Sequence, residues 1–176
     1  VSDMTTATGR LVVRDELSVG TELTGFRVAQ VLVDEGDWVK KGQALARLDD
    51  TLLRAQMVQA EAALAQQKAQ YELFASQLKR GEGLGEAGAI SLEALEQRRT
   101  QAETARAAVL AAEAALNEMK VRQARMTLRA PEAGLILQRA IRPGDISSVA
   151  TPVPYFRIAR DGLVELDAEL PDGRLA

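Results

Sequence analysis

The sequence contains no cysteine and no histidine. Without cysteine there is no disulfide framework, no thiol nucleophile and no thiolate metal site. Without histidine the commonest general base and metal ligand is missing. Aromatics supply only 3% of the residues. No run approaches the ~18 consecutive apolar residues that a membrane-spanning helix needs. The formal net charge is -3, so the concentrated basic surface that favours nucleic-acid binding is absent too. A large part of enzyme chemistry is thereby excluded, and no catalytic residue, cofactor or metal site is assigned. The compartment stays open, because a cysteine-free chain suits either side of a membrane. The sequence opens on Val1 and carries no visible signal peptide. Any targeting or anchoring segment is therefore expected outside it.

What is present is alanine, concentrated between Ala55 and Ala124 in a chain of 176 residues that is 47% hydrophobic. Alanine is the best helix former, so this bias predicts long helix. The flanks have a different texture. Up to about residue 50, apolar and polar residues alternate with glycine between them: Val28, Val31 and Val33, then Val39, Leu45 and Leu48. That is the period of strands. Strand texture returns at Leu128, with Pro131, Gly134, Pro143, Gly144, Pro152 and Pro154 as breakers. The two flanks resemble each other. Gly25 leads an apolar stretch to Val33 and then EGDWV, and Gly134 leads a similar stretch to Ile141 and then PGDIS. Gly36-Asp37 and Gly144-Asp145 are natural turn dipeptides. An internal duplication is expected.

The helical block splits near Gly81. A first helix is predicted from about Thr51, which can cap it, to Lys79. Its seam is Leu53, Met57, Ala60, Leu64, Tyr71, Phe74 and Leu78, with Gln67 filling the missing step. A second helix starts at Ser91, a natural N-cap, with Glu93 in its first turn. Leu95, Ala102, Val109 and Leu116 repeat there every seven residues, with Ala105, Ala112 and Met119 between. Alternate steps of four and three mark a heptad seam. Each helix would be about 45 to 54 Å long at about 1.5 Å per residue. The narrow seam and polar outer faces predict a projecting antiparallel hairpin rather than two helices laid on a sheet. GEGLGEAGAI supplies the reversal through Gly81, Gly83, Gly85 and Gly88.

EGDWVKKGQALARLD resembles the first half of a lipoyl or biotinyl carrier domain, and RAPEAGLILQRAIRPGDIS resembles the second. A true carrier joins the halves by a tight turn bearing one exposed lysine. Here Asp49, Asp50 and Thr51 run straight into the helix. Lys40 and Lys41 precede the strand, and the next lysine is Lys68, deep in the helix. The carrier fold is expected without its group-transfer chemistry.

A lipoyl-like domain interrupted by a long helical hairpin resembles the plan of the periplasmic adaptors, or membrane fusion proteins, of tripartite efflux and export pumps. TLRAPEAGLI (127–136) is similar to that family's return strand after the hairpin. Arg80, Leu84 and Ser91 match the spacing of the Arg, Leu and Ser that the family carries at the hairpin tip. The resemblance implies an α+β fold. It consists of a lipoyl-like β barrel-sandwich hybrid (9–50 and 127–161), a coiled-coil α-helical hairpin (51–126, tip about 80–91) and the beginning of a β-barrel domain (162–176). Residues 1–8 form a further candidate strand of that barrel. In LVELDAELPDGRLA, Val164, Leu166, Ala168 and Leu170 alternate with Glu165, Asp167 and Glu169, as in a half-buried strand.

The resemblance further implies a non-enzymatic adaptor in the periplasm, attached to the inner membrane through a segment outside this chain. It would join an inner-membrane transporter, best matched by the resistance-nodulation-division type, to an outer-membrane exit channel. It would self-associate into a ring, a hexamer by resemblance, and pass small molecules. Arg80, Leu84 and Ser91 would dock on the channel. Arg80 offers a planar fork of donors, and Leu84 has little local core to bury it. Taken alone, Arg80 is also a favourable charge at a helix C-terminus, Leu84 a local lid, and Ser91 a cap. The four methionines (Met4, Met57, Met119 and Met126) are scattered, which does not suggest metal handling. Two alternatives remain from the sequence: a lipoyl- or biotinyl-like carrier, and a coiled-coil scaffold without a transport role.

Overall fold

A computed structural model describes residues 8–169. The chain divides into two compact units. One draws on both flanks of the sequence, and the other is the stretch Asp50–Ala124. Its elements follow the expected α+β order: β1 (Thr8–Val13), β2 (Glu16–Val19), β3 (Val28–Val31), β4 (Trp38–Val39), β5 (Ala44–Leu48), α1 (Thr51–Glu86), α2 (Leu92–Arg125), β6 (Thr127–Arg129), β7 (Gly134–Arg139), β8 (Phe156–Arg160) and β9 (Val164–Glu169). Among the described residues, no helix is long and apolar enough to cross a membrane.

The β unit holds three antiparallel sheets: β2-β8-β7-β4, β3-β5-β6, and the pair β1-β9. Alternation puts one side of each strand inward. Val28, Leu45, Leu48 and Leu128 of the three-stranded sheet are buried, as are Val39, Ile136, Phe156 and Ile158 of the four-stranded one. Residues 130–133, Pro131 among them, separate β6 from β7, which Gly134 opens, so the chain leaves one sheet and enters the other within a few residues.

The expected duplication is built into the hydrogen bonding. The Gly36 amide donates to the Ile136 carbonyl at 2.8 Å, and the Ile136 amide donates to Asp37 O at 2.9 Å. In the other half, the Gly144 amide donates to the Val28 carbonyl and the Val28 amide to Asp145 O, both at 2.8 Å. Each Gly-Asp turn thus docks on the strand of the opposite half. Inside the turns, Asp37 Oδ2 accepts from the Asp34 amide and Asp145 Oδ2 from the Arg142 amide. Both turn glycines have positive φ, 89° and 94°, where a side chain would be strained. The matching positions, 28 with 136 and 36 with 144, keep one offset of 108. This corrects the sequence alignment by one residue. Gly134 corresponds to Phe26, and Gly25 to Ala133. The hydrophobic run aligns the ends at Val33 and Ile141, but each glycine answers to its own neighbours.

At the barrel end the sequence places a candidate strand at residues 1–8. Thr8, the last of these residues, opens β1, which runs on to Val13 and pairs with β9, Thr8 opposite Glu169 and Val13 opposite Val164. Residues 1–7 and Leu170 lie outside the described residues.

Exposed ion pairs fasten the β unit at its edges. Hydrogen bonding from the Arg157 guanidinium, across the β2–β8 pair, holds the Glu16 carboxyl below the usual carboxylate range. Asp34 is lowered first by the Glu35 amide and then by Arg139, and Glu132 by Lys41. A group lowered on folding adds stability above its unfolded value. That stability is lost as pH falls through its folded value. The urea unfolding midpoint is therefore expected to drop between about pH 6 and about pH 3. Glu16→Gln should be less stable at the upper pH and show a shallower fall. An equally steep fall in the variant would remove Glu16 from the acid response.

A helical hairpin and its tip as the candidate functional site

The predicted seam is the one that is used. Leu53 is buried, and Met57, Ala60, Leu64, Gln67, Tyr71, Phe74 and Leu78 are half-buried, with Ala75 and Gln77 half-buried beside the last two. On α2, Ala102, Ala105, Val109 and Leu116 are buried. Polar links across the two helices run antiparallel: Gln123 to Asp50, Lys68 to Glu113 at 3.0 Å, Arg98 to Gln77, and Arg99 to Glu82 at 4.0 Å. From Asp50–Gln123 through Lys68–Glu113 to Gln77–Arg98, the number of one partner rises as that of the other falls, and Arg99 reaches Glu82 near the tip. Small alanines on α2 leave room for the larger side chains of α1, as heptad packing requires.

Both helix starts were read from sequence, with one correction. Ser91 Oγ accepts the Ala94 amide at 3.2 Å, so Ser91 caps α2 as expected. Asp50, and not Thr51, is the cap residue of α1, and it makes no side-chain cap bond. Its carboxylate pairs instead with Arg54 at 3.0 Å, which leaves Thr51 as the first helical residue.

The larger correction concerns the reversal. The sequence ends the first helix near Lys79 and makes Gly81, Gly83 and Gly85 part of a loop. In the structure α1 continues through all three to Glu86. Each glycine costs a helix about 1 kcal/mol relative to alanine, so packing must offset that cost. It does so through Leu95. An ideal Cβ at Gly81 or at Gly85 would lie 3.5 Å from a Leu95 methyl group. The side chain of Leu95 therefore lies over the bare face of α1. Of Gly81, Gly83, Gly85 and Gly88, only Gly88 takes the left-handed conformation, with φ 69°. The Ala89 amide donates to Leu84 O at 2.9 Å and the Gly88 amide to Gly85 O at 3.0 Å. This is the Schellman arrangement that closes helices.

The tip therefore consists of a closed helix end, two linking residues and a fresh N-cap. Arg80 and Leu84 stand one turn apart on the last turns of α1, where they share a face. Arg80 Nη1 donates to Ser76 Oγ at 3.1 Å, and both residues are exposed. Leu84 is 45% exposed, a large apolar side chain with much of its surface in water. Ser91 is exposed and its hydroxyl is engaged in capping. Sequence reasoning missed Arg98 at this end. Arg98 Nη1 donates to the Gln77 carbonyl at 3.2 Å. The signal that could have found it was an arginine at a seam position, three residues after Leu95, facing a glycine run.

The lysines bear on the carrier alternative. β5 ends at Leu48 and α1 begins at Thr51, so no lysine-bearing turn joins β5 to the helix. Lys41 pairs with Glu132 at 2.8 Å, and Lys68 is held by Glu113 across the helices.

No family model matches the sequence. A UPF0194 membrane protein of Yersinia pseudotuberculosis is 29% identical over 199 aligned positions, which cover 81% of this chain and 61% of the relative. The type I secretion system membrane fusion protein PrsE of Rhizobium meliloti is 42% identical over 66 residues, covering 38% of this chain and 15% of PrsE. The membrane fusion protein Spr0693 of Streptococcus pneumoniae superposes with a TM-score of 0.67 at 20% identity, over 90% of this chain and 64% of that one. The chain spans about three-fifths of the length of the first of these relatives. With two long paired helices interrupting a split β unit, the chain has the fold of the membrane fusion proteins, the periplasmic adaptors that its sequence resembles.

Proposed function

We propose that the chain is the central part of a periplasmic adaptor. It joins an inner-membrane transporter of the resistance-nodulation-division type to an outer-membrane exit channel, for efflux or export of small molecules. Several copies form a ring, and the helical tip of each docks on the channel through Arg80, Leu84 and Ser91. The observation that carries this reading is the tip itself. A tightly capped reversal holds an exposed leucine and an exposed arginine one helical turn apart. Such a pair suits the end of a helical partner. Leucine supplies apolar area to bury, and the guanidinium supplies several donors for carbonyls or carboxylates. No chemical step is assigned to the protein. Its work is to join and seal, and to pass conformational change between partners.

Photo-crosslinking gives a direct test. A photo-crosslinking residue at position 84 should capture an outer-membrane channel protein in cells that express the adaptor with its pump. The same probe at Lys120, an exposed position far along α2 from the tip, should not. Capture of no channel from position 84 would overturn the docking assignment.

A further inference from the structure

The tip is held by a contact that the docking trio does not include. Gly81 is a buried residue near the end of α1, and Arg98 is half-buried on α2. Helix geometry aims the Gln77 carbonyl at the amide of residue 81, four residues on. One lone pair of that oxygen is used inside the helix, and the other accepts from Arg98 Nη1 at 3.2 Å. Glycine at 81 leaves that access open. A Cβ there would tilt back toward the helix N-terminus, over the Gln77 carbonyl. It would stand 2.9 Å from Arg98 Nη1 and 3.0 Å from Arg98 Cδ. The guanidinium occupies the space that a side chain would fill. Gly83 is different, because a Cβ there meets nothing within 4 Å.

We infer that Gly81 and Arg98 form a latch that fixes the two helices at the tip, so that Arg98 is a positioning residue for the docking trio. The bond joins a charged donor to a backbone acceptor, which makes it stronger than a neutral pair. It ties Gln77, about two turns before Leu84, to Arg98, about two turns after Ser91. Around it Leu95 and Ile90 lie against the glycines, and Leu78 is half-buried beside it. The latch thereby sets where Leu84 and Ser91 stand relative to one another. In this respect the inference rests on the docking reading above, although the latch itself does not.

Amide hydrogen exchange on the whole chain tests it. Arg98→Ala should speed exchange of residues 77–98 about tenfold or more, the scale expected when one charge-assisted hydrogen bond is lost from a locally opening segment. Residues 57–70 should be unaffected. Arg98→Lys should restore most of the protection, because an ammonium can donate to the same carbonyl. The glycines give a sharper contrast. Helix propensity alone says that alanine at 81 or 83 should slow exchange. Gly83→Ala should do so, whereas Gly81→Ala should give less protection, because its Cβ must push the Arg98 side chain aside. Unchanged exchange in Arg98→Ala, or equal protection by both alanines, would overturn the latch. Capture of the channel from position 84 should fall in Arg98→Ala and recover in Arg98→Lys. Undiminished capture despite a loosened tip would remove the positioning role. If the parent chain captures no channel, the docking reading fails on its own, and exchange still decides the latch.

Discussion

Leu84→Asp is expected to abolish export in cells while leaving the purified chain folded, and Arg80→Asp should do the same. Both side chains are exposed near the end of α1. The change should therefore cost the fold little. A new negative charge near a helix C-terminus is unfavourable by about 0.3–1 kcal/mol, and the Arg80–Ser76 hydrogen bond is a surface contact. If the tip docks as proposed, the loss on the channel side is much larger. Burying a leucine is worth about 1.5–3 kcal/mol. An aspartate in the same contact must lose its water as well, so a penalty of interface hot-spot size, about 2 kcal/mol or more, is expected. Each 1.4 kcal/mol is about a tenfold loss of affinity, and in the proposed ring that loss would be repeated at every tip. The measurement pairs dye or antibiotic efflux in cells with the melting temperature of each purified variant. Full efflux with both variants would show that the tip does not dock through these residues.

The second large effect is on the fold. Gly134→Ala should destabilise the chain by about 3 kcal/mol or more, a substantial part of the ~5–15 kcal/mol that holds a typical domain together. Gly134 opens β7, where it lies opposite Val39 of β4 and Arg160 of β8. An added Cβ would collide with the Ala159 carbonyl oxygen and come within 2.7 Å of Ile158 Cγ2. Neither neighbour can yield cheaply. The Ala159 carbonyl belongs to the sheet backbone, and Ile158 is fully buried. Gly20→Ala is the control, because a Cβ there meets nothing within 4 Å. Urea unfolding of the two variants gives the comparison. An unchanged midpoint for Gly134→Ala would mean that β7 and β8 lie further apart than they do in this structure.

Gly134 also shows how a sequence can mark the right residue for an incomplete reason. In TLRAPEAGLI the glycine reads as punctuation between strands, and it does stand there. What requires glycine is the close approach of β8, a neighbour that lies 25 residues away in the chain. The tip holds the opposite lesson. Arg80, Leu84 and Ser91 were legible as a spaced trio, and Ser91 caps α2 as its type and place suggest. The run Gly81, Gly83, Gly85 reads as a loop by propensity, yet it is helix. Leu95 and Arg98, which pack on that bare face, come from the other arm of the hairpin.

The sequence by itself determined the periodic features. These are the heptad seam from Leu53 to Leu78, its alanine-rich counterpart on α2, the two Gly-Asp turns and the cap at Ser91. Each is written within a few neighbouring residues, where side-chain spacing and backbone preference act directly. Tertiary structure alone decided how far α1 runs, the offset of 108 by which the β halves dock on each other's turns, and the use of Arg98 to hold the tip. Those outcomes depend on which distant surfaces meet. A missing Cβ is a defect for an isolated helix, and it becomes an opening only once a partner chain segment arrives to fill it.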